Sequence, residues 1–166
     1  ALHHNCHKMI IGLGGSATSD AGIGMLRALI DTFAPEDHFN AIRPLFDNCE
    51  VILASDVTNP LYGINGAAHV FAKQKGATSS MIEALDARAK QFALHTKRAM
   101  GFDKSMQPGA GAAGGLGYAF MQFLNAEMQS GAELLLHLLQ FDKLLAHADI
   151  VITGEGKSDR QTLMGK

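Results

Sequence analysis

Short apolar runs and helix-spaced apolar positions alternate along this chain. The runs are "KMIIGL", "EVILAS" and "DIVITG", each passing into glycine or polar residues. They predict buried strands over 9–13, 51–54 and 150–153. After the first run, Ile23, Leu26, Ala28 or Leu29, and Ile30 fall on one side of a predicted helix. The clearest helix covers 79–100. Ile82, Leu85, Ala89, Phe92, Thr96 and Ala99 form its inner stripe, and Glu83, Asp86, Arg88, Lys90, Lys97 and Arg98 its wet side. Ser80 and Glu83 have the spacing of a capping box, and Gly101 is a natural helix stop. A short helix is predicted over 67–72. "YAFMQFLNAEM" reads as helical, and "AELLLHLLQFDKLLAHA" as one helix or two short ones. Pro35 and Pro44 limit any helix in the connection before the second strand. The expected fold is therefore α/β, a single domain over 1–166. It has a mostly parallel sheet, crossover helices, and glycine-rich loops at the strand carboxyl ends.

Composition narrows the function classes. The chain has 166 residues, 47% hydrophobic and 18% charged, with a formal net charge of −2. A domain of that size can bury a real core. No basic stripe is available to neutralise nucleic-acid phosphates, so a nucleic-acid partner is not expected. Two cysteines, Cys6 and Cys49, give no disulfide framework and suggest a reducing, cytoplasmic setting. No apolar run approaches the roughly 20 residues of a membrane span, and no signal peptide is visible. The last predicted strand lies close to the final residue, which suggests a fragment of a larger protein.

Eighteen glycines are the unusual number, because they cluster at 12–24, 109–117 and 154–156. In open parallel sheets ligands bind outside the strand carboxyl ends, and glycines there let backbone N–H groups approach an anion. In "GLGGSATSDAG", Gly14 and Gly15 would free the backbone, Ser16 and Thr18 could donate hydroxyls, and Asp20 could orient a metal or a substrate hydroxyl. The same segments suit a tight strand-to-helix turn with a capping side chain. No Gly-Lys-Ser/Thr follows, so this is not a P-loop. Gly12-x-Gly14-x-x-Ala17 loosely matches a dinucleotide fingerprint, which leaves a dinucleotide-dependent oxidoreductase as the alternative. "SDVTNPLYG" sets Asp56 and Asn59 at the mouth of the second strand. "GEGKSDRQT" sets Glu155, Asp159 and Gln161 at the mouth of the third, a pattern that suits Mg²⁺ or a general base. Lys73, Lys75 and Lys157 could meet phosphate. "HHNCH" has metal-type residues but no second ligand pair elsewhere.

In this order the loops "GLGGSATSDAG", "DVTNPLYGINGAAHVFAKQKGAT", "PGAGAAGGLG" and "ADIVITGEGKSDRQTLMGK" resemble the type I glycerate kinase family, from about Met9 to Lys166. The resemblance implies an ATP-dependent, Mg²⁺-assisted phosphotransferase acting on glycerate, with this chain as the middle part of a two-domain enzyme. A catalytically incomplete domain is a further possibility, and self-association is a possible partner mode. It implies Asp159 as the base or substrate-orienting acid, and Asp56 and Glu155 as Mg²⁺ ligands. Gly14, Gly15, Ser16, Thr18, Asp20, Asn59, Lys75 and Gln161 would contact substrate or phosphate. The chain departs from the family pattern GGSATNDGG at Ser19 and Ala21. It also departs at Ser158 and Arg160, where an aliphatic and a small residue are usual.

Overall fold

The first apolar run forms β1 (Lys8–Gly12), which pairs in parallel with β2 (Glu50–Ala54), Ile10 opposite Ile52. A third strand, β3 (Glu127–Gln129), pairs in parallel with the end of β2, Ile52 opposite Glu127. The sheet order is β1–β2–β3. These strands belong to a computed structural model that describes residues 4, 6–33, 42–152 and 154. The α/β class and the parallel sheet are as the pattern predicts.

The third strand is elsewhere than expected. Ile150, Val151 and Ile152 carry strand-like side chains, yet they form no ladder and are 80%, 56% and 92% exposed. Strand propensity expresses packing against neighbours, and these residues pair with no strand among the described residues. Conversely Glu127 and Met128, which end the stretch predicted as helix, form a strand with Gln129 because they complete the hydrogen-bonding edge of β2. Ser55 N–H continues that edge by donating to the Gln129 carbonyl at 3.0 Å.

Helix α1 (Ile23–Phe33) crosses over from β1 and buries Leu26, with Met25, Leu29 and Ile30 packed against the core. Helix α2 (Ser79–Met100) matches its predicted span and ends at Gly101, left-handed at φ +80°. Its cap is Thr78 rather than Ser80, because the Thr78 hydroxyl accepts the Met81 N–H. The expected short helix is a π turn over Ala68–Ala72 followed by a 3₁₀ turn over Lys73–Lys75.

Helix α3 (Ala112–Phe123) begins inside the second glycine cluster, and its first turn is broken by a left-handed run at Ala113, Gly114 and Gly115. It supplies the centre of the core. Tyr118 and Phe123 are almost fully buried, and both rings meet Phe92 of α2, at 5.9 Å edge-on and 6.0 Å stacked. Gln122 is buried yet satisfied, accepting the Lys104 N–H at 2.8 Å and donating to the Phe102 carbonyl at 3.1 Å. From β2, Val51 and Leu53 join the same core.

The expected helix or helix pair after β3 is a pair, α4 (Gly131–Leu138) and α5 (Phe141–Leu145). Helix α4 touches β2, yet Leu135, Leu139 and Leu144 are 60%, 63% and 62% exposed. Exposed apolar side chains on a helix pair are of a kind that marks interaction faces. Among the described residues no helix is long and apolar enough to cross a membrane.

Candidate active site

The carboxyl ends of all three strands open into one cleft of about 230 Å³. Leu13, Gly14, Gly15 and Ser16 come from the end of β1, and Ser55, Asp56 and Val57 from the end of β2. Gly131, two residues beyond β3, forms a third wall. Phe71, Gln74 and Lys75 enter from the π and 3₁₀ turns, and Ala113 and Gly114 from the left-handed entry to α3.

Two glycine clusters meet here in different roles. Gly14 and Gly15 face open space, which leaves their backbone accessible from the cleft. Gly114, at φ +69°, lies so close to the first loop that a Cβ there would overlap the Thr18 carbonyl. Its own carbonyl accepts the Ala21 N–H at 3.0 Å. Ala21 itself sits at φ +57°, the left-handed region where a side chain costs about 1 kcal/mol. It is one of the departures from the family pattern.

Lys75 binds the glycine loop from the opposite wall. Its ammonium donates to Ser16 Oγ at 2.9 Å and to the Thr18 carbonyl. Burial lowers its pKa from the ordinary lysine value, and the charge of Asp20 pulls the other way. Asp56 faces the cleft from the end of β2. Its Oδ1 accepts the Ser130 hydroxyl at 2.7 Å and the Ala132 N–H at 3.4 Å, so the carboxylate caps α4. Both bonds that Asp56 accepts among the described residues are at Oδ1.

The expected site residues therefore separate. Gly14, Gly15, Ser16, Asp56 and Lys75 come together in the cleft. Thr18 contributes a carbonyl to Lys75. Asp20 caps α1, its two oxygens accepting the Gly22 and Gly24 N–H groups at 3.0 and 2.9 Å. Asn59 donates to the Asn65 carbonyl at 2.8 Å and accepts the Gly111 N–H at 2.9 Å, so it shapes its loop. Glu155, Asp159 and Gln161 lie outside the described residues, as do His3 and Asn5 of "HHNCH". Among the described residues no group of three or more His, Cys, Asp or Glu side chains is placed to hold a metal.

Ser55, Phe71, Gln74 and Gly131 are cleft residues that the pattern did not single out. For the β3 end a signal exists: Ser130 and Glu133 have capping-box spacing, and the Ser130 hydroxyl accepts the Glu133 N–H. The dinucleotide fingerprint finds no support. Its glycines should open a helix directly, whereas ten residues, 13–22, separate β1 from α1.

The sequence profile of the glycerate kinase family matches residues 1–38 and 31–166. The chain belongs to that family. It is 40% identical over 183 aligned residues to glycerate 2-kinase of Escherichia coli (strain K12), covering all of this chain and 48% of that one. Glycerate kinase of Bacillus subtilis (strain 168) is 38% identical, with the same coverage. A crystal structure assigned to glycerate kinase 2 of Salmonella typhimurium LT2 superposes with a TM-score of 0.74 at 38% identity. That match covers 95% of this chain and 46% of the other. The chain thus spans about half the length of the glycerate kinases it matches.

Proposed function

We propose that this chain forms one α/β domain of an ATP-dependent glycerate kinase. The reaction moves the γ-phosphoryl group of ATP to a hydroxyl of D-glycerate, giving phosphoglycerate and ADP. The observation that carries this reading is the convergence of three strand ends on a cleft that, among the described residues, holds one cation, Lys75, and one carboxylate, Asp56. Phosphoryl transfer asks little covalent chemistry of a protein. It needs the acceptor hydroxyl held in line, charge compensation, and a carboxylate to take the hydroxyl proton. Gly14, Gly15, Ser16 and Lys75 supply the anion-facing wall, and Asp159 is assigned as the proton acceptor.

The residues present fit a magnesium ion bound with ATP. Mg²⁺ in such sites is held by one or two carboxylates plus phosphate oxygens, and Asp56 at the cleft is a suitable hard donor. Asp56, with Glu155, would hold the ion. When bound, it supplies neutralisation of phosphate charge.

A direct test places this chain in the E. coli enzyme in exchange for the stretch it matches. A coupled assay then follows ADP release. Glycerate-dependent ATP consumption is the expected result. A folded chimera that consumes no ATP with glycerate, or is stabilised by NAD(P)H rather than MgATP, contradicts the proposal.

Two smaller assignments accompany it. Free Cys6 and Cys49 suit a reducing cytoplasm. The exposed leucines of α4 and α5 favour self-association of the isolated chain, with the apolar face turned inward. Sedimentation velocity should show mass rising with concentration, and Leu135→Glu with Leu139→Glu should remove the effect. A concentration-independent monomer contradicts that assignment.

A further inference from the structure

The kinase reading leaves open which substrate the glycine-loop cleft receives. We propose that it holds the hydroxy acid, with the glycerate carboxylate on Lys75 and Ser16, and that the adenosine moiety of ATP lies outside it. This rests on the kinase reading and assigns one end of the substrate to named atoms.

Size is the first argument. The cleft volume of about 230 Å³ is below the ~300–1,000 Å³ typical of drug-sized ligands, and a nucleoside triphosphate belongs to that larger class. A three-carbon acid fits. Charge is the second. Among the described lining residues Lys75 is the one cation and Asp56 the one anion. On the glycine-loop wall itself Lys75 is the one positive group among the described lining residues, enough for a single carboxylate but not for a triphosphate. A monoanion with hydroxyl groups matches both poles.

Donor geometry is the third argument. An ammonium has three N–H donors. Two of them are engaged by Ser16 Oγ and the Thr18 carbonyl, which fixes the nitrogen at the glycine loop and leaves one donor for a ligand oxygen. Gly14 and Gly15 stand beside it without side chains, facing open space, so a carboxylate can approach their backbone. With the carboxylate held there, the hydroxyl end of the acid extends toward Asp56. Phosphoryl transfer then belongs at the Asp56 end, where the phosphates of ATP enter from outside.

Amide mapping by NMR on the 166-residue chain tests this, with D-glycerate and magnesium–AMP-PNP as separate probes. Glycerate should shift the Gly14, Gly15, Ser16 and Gly131 amides. Its affinity should fall about tenfold or more in Lys75→Met and return in part in Lys75→Arg. The affinity for magnesium–AMP-PNP should change less than about twofold in either variant. Ser16→Ala, which leaves Lys75 and its charge in place, should weaken glycerate alone and guards against a merely misfolded Lys75 variant. If magnesium–AMP-PNP shifts these amides and loses affinity in Lys75→Met while glycerate does not, the assignment is overturned and the kinase reading stands. If neither probe shifts any amide of the cleft, both fail.

Discussion

Gly114→Ala should lower the melting temperature by roughly 6–12 °C, the equivalent of about 3 kcal/mol in a domain of this size. Two costs combine. A side chain at φ +69° is strained, at about 1 kcal/mol, and its Cβ would overlap the Thr18 carbonyl and crowd Ser19. Relieving the overlap moves the entry to α3 away from the first glycine loop, at about 1–3 kcal/mol for overpacking. Gly76→Ala separates the two. Gly76 has φ +92°, but nothing lies within 4 Å of a Cβ there, so only strain remains. Thermal unfolding followed by far-UV circular dichroism should show the Gly114 variant falling several degrees further than the Gly76 variant. Equal falls would mean that the two glycine clusters do not interlock as described. Because Gly114 also lines the cleft, the same movement should loosen the loop that carries Ser16.

Much of this architecture is legible from residue pattern, and the exceptions have physical causes. β2 is readable because Val51, Ile52 and Leu53 are all nearly inaccessible. β1 is readable from its apolar run, although it is an edge strand with only Met9 and Ile11 packed on the core and Ile10 44% exposed, so it is less buried than expected. Helix α2 is readable because its stripe, its glycine stop and its length agree. β3 is not. Three residues, Glu-Met-Gln, carry no strand pattern of their own, and their conformation follows from the edge that β2 offers. Ile150 to Ile152 mislead for the opposite reason, since apolar β-branched residues imply a strand only where a ladder receives them. In the site, Ser16, Asp56 and Lys75 could be singled out as polar groups at loop ends, yet the contact between Lys75 and Ser16 spans 59 positions. Asp20 and Asn59 show the limit of that reasoning. An acid or amide in a glycine-rich loop satisfies backbone groups as readily as ligands, and here both do the former.

The second large effect is chemical. Asp56→Asn keeps an oxygen that can accept the Ser130 hydroxyl and the Ala132 N–H, so the cap on α4 and the fold should persist. It removes the negative charge that the reacting end of the cleft is proposed to need, for orienting the hydroxyl and for meeting magnesium. Loss of one such group typically costs about 10²–10⁴ in turnover. The most direct measurement of the central claim compares the E. coli chimera carrying this chain with its Asp56→Asn variant, in glycerate-dependent ADP release. The predicted result is turnover by the first and a fall of about 100-fold or more in the second, with melting temperatures within a few degrees. Turnover of the variant within about threefold of the parent would contradict the account, because a kinase cleft built on Asp56 could not lose that charge so cheaply.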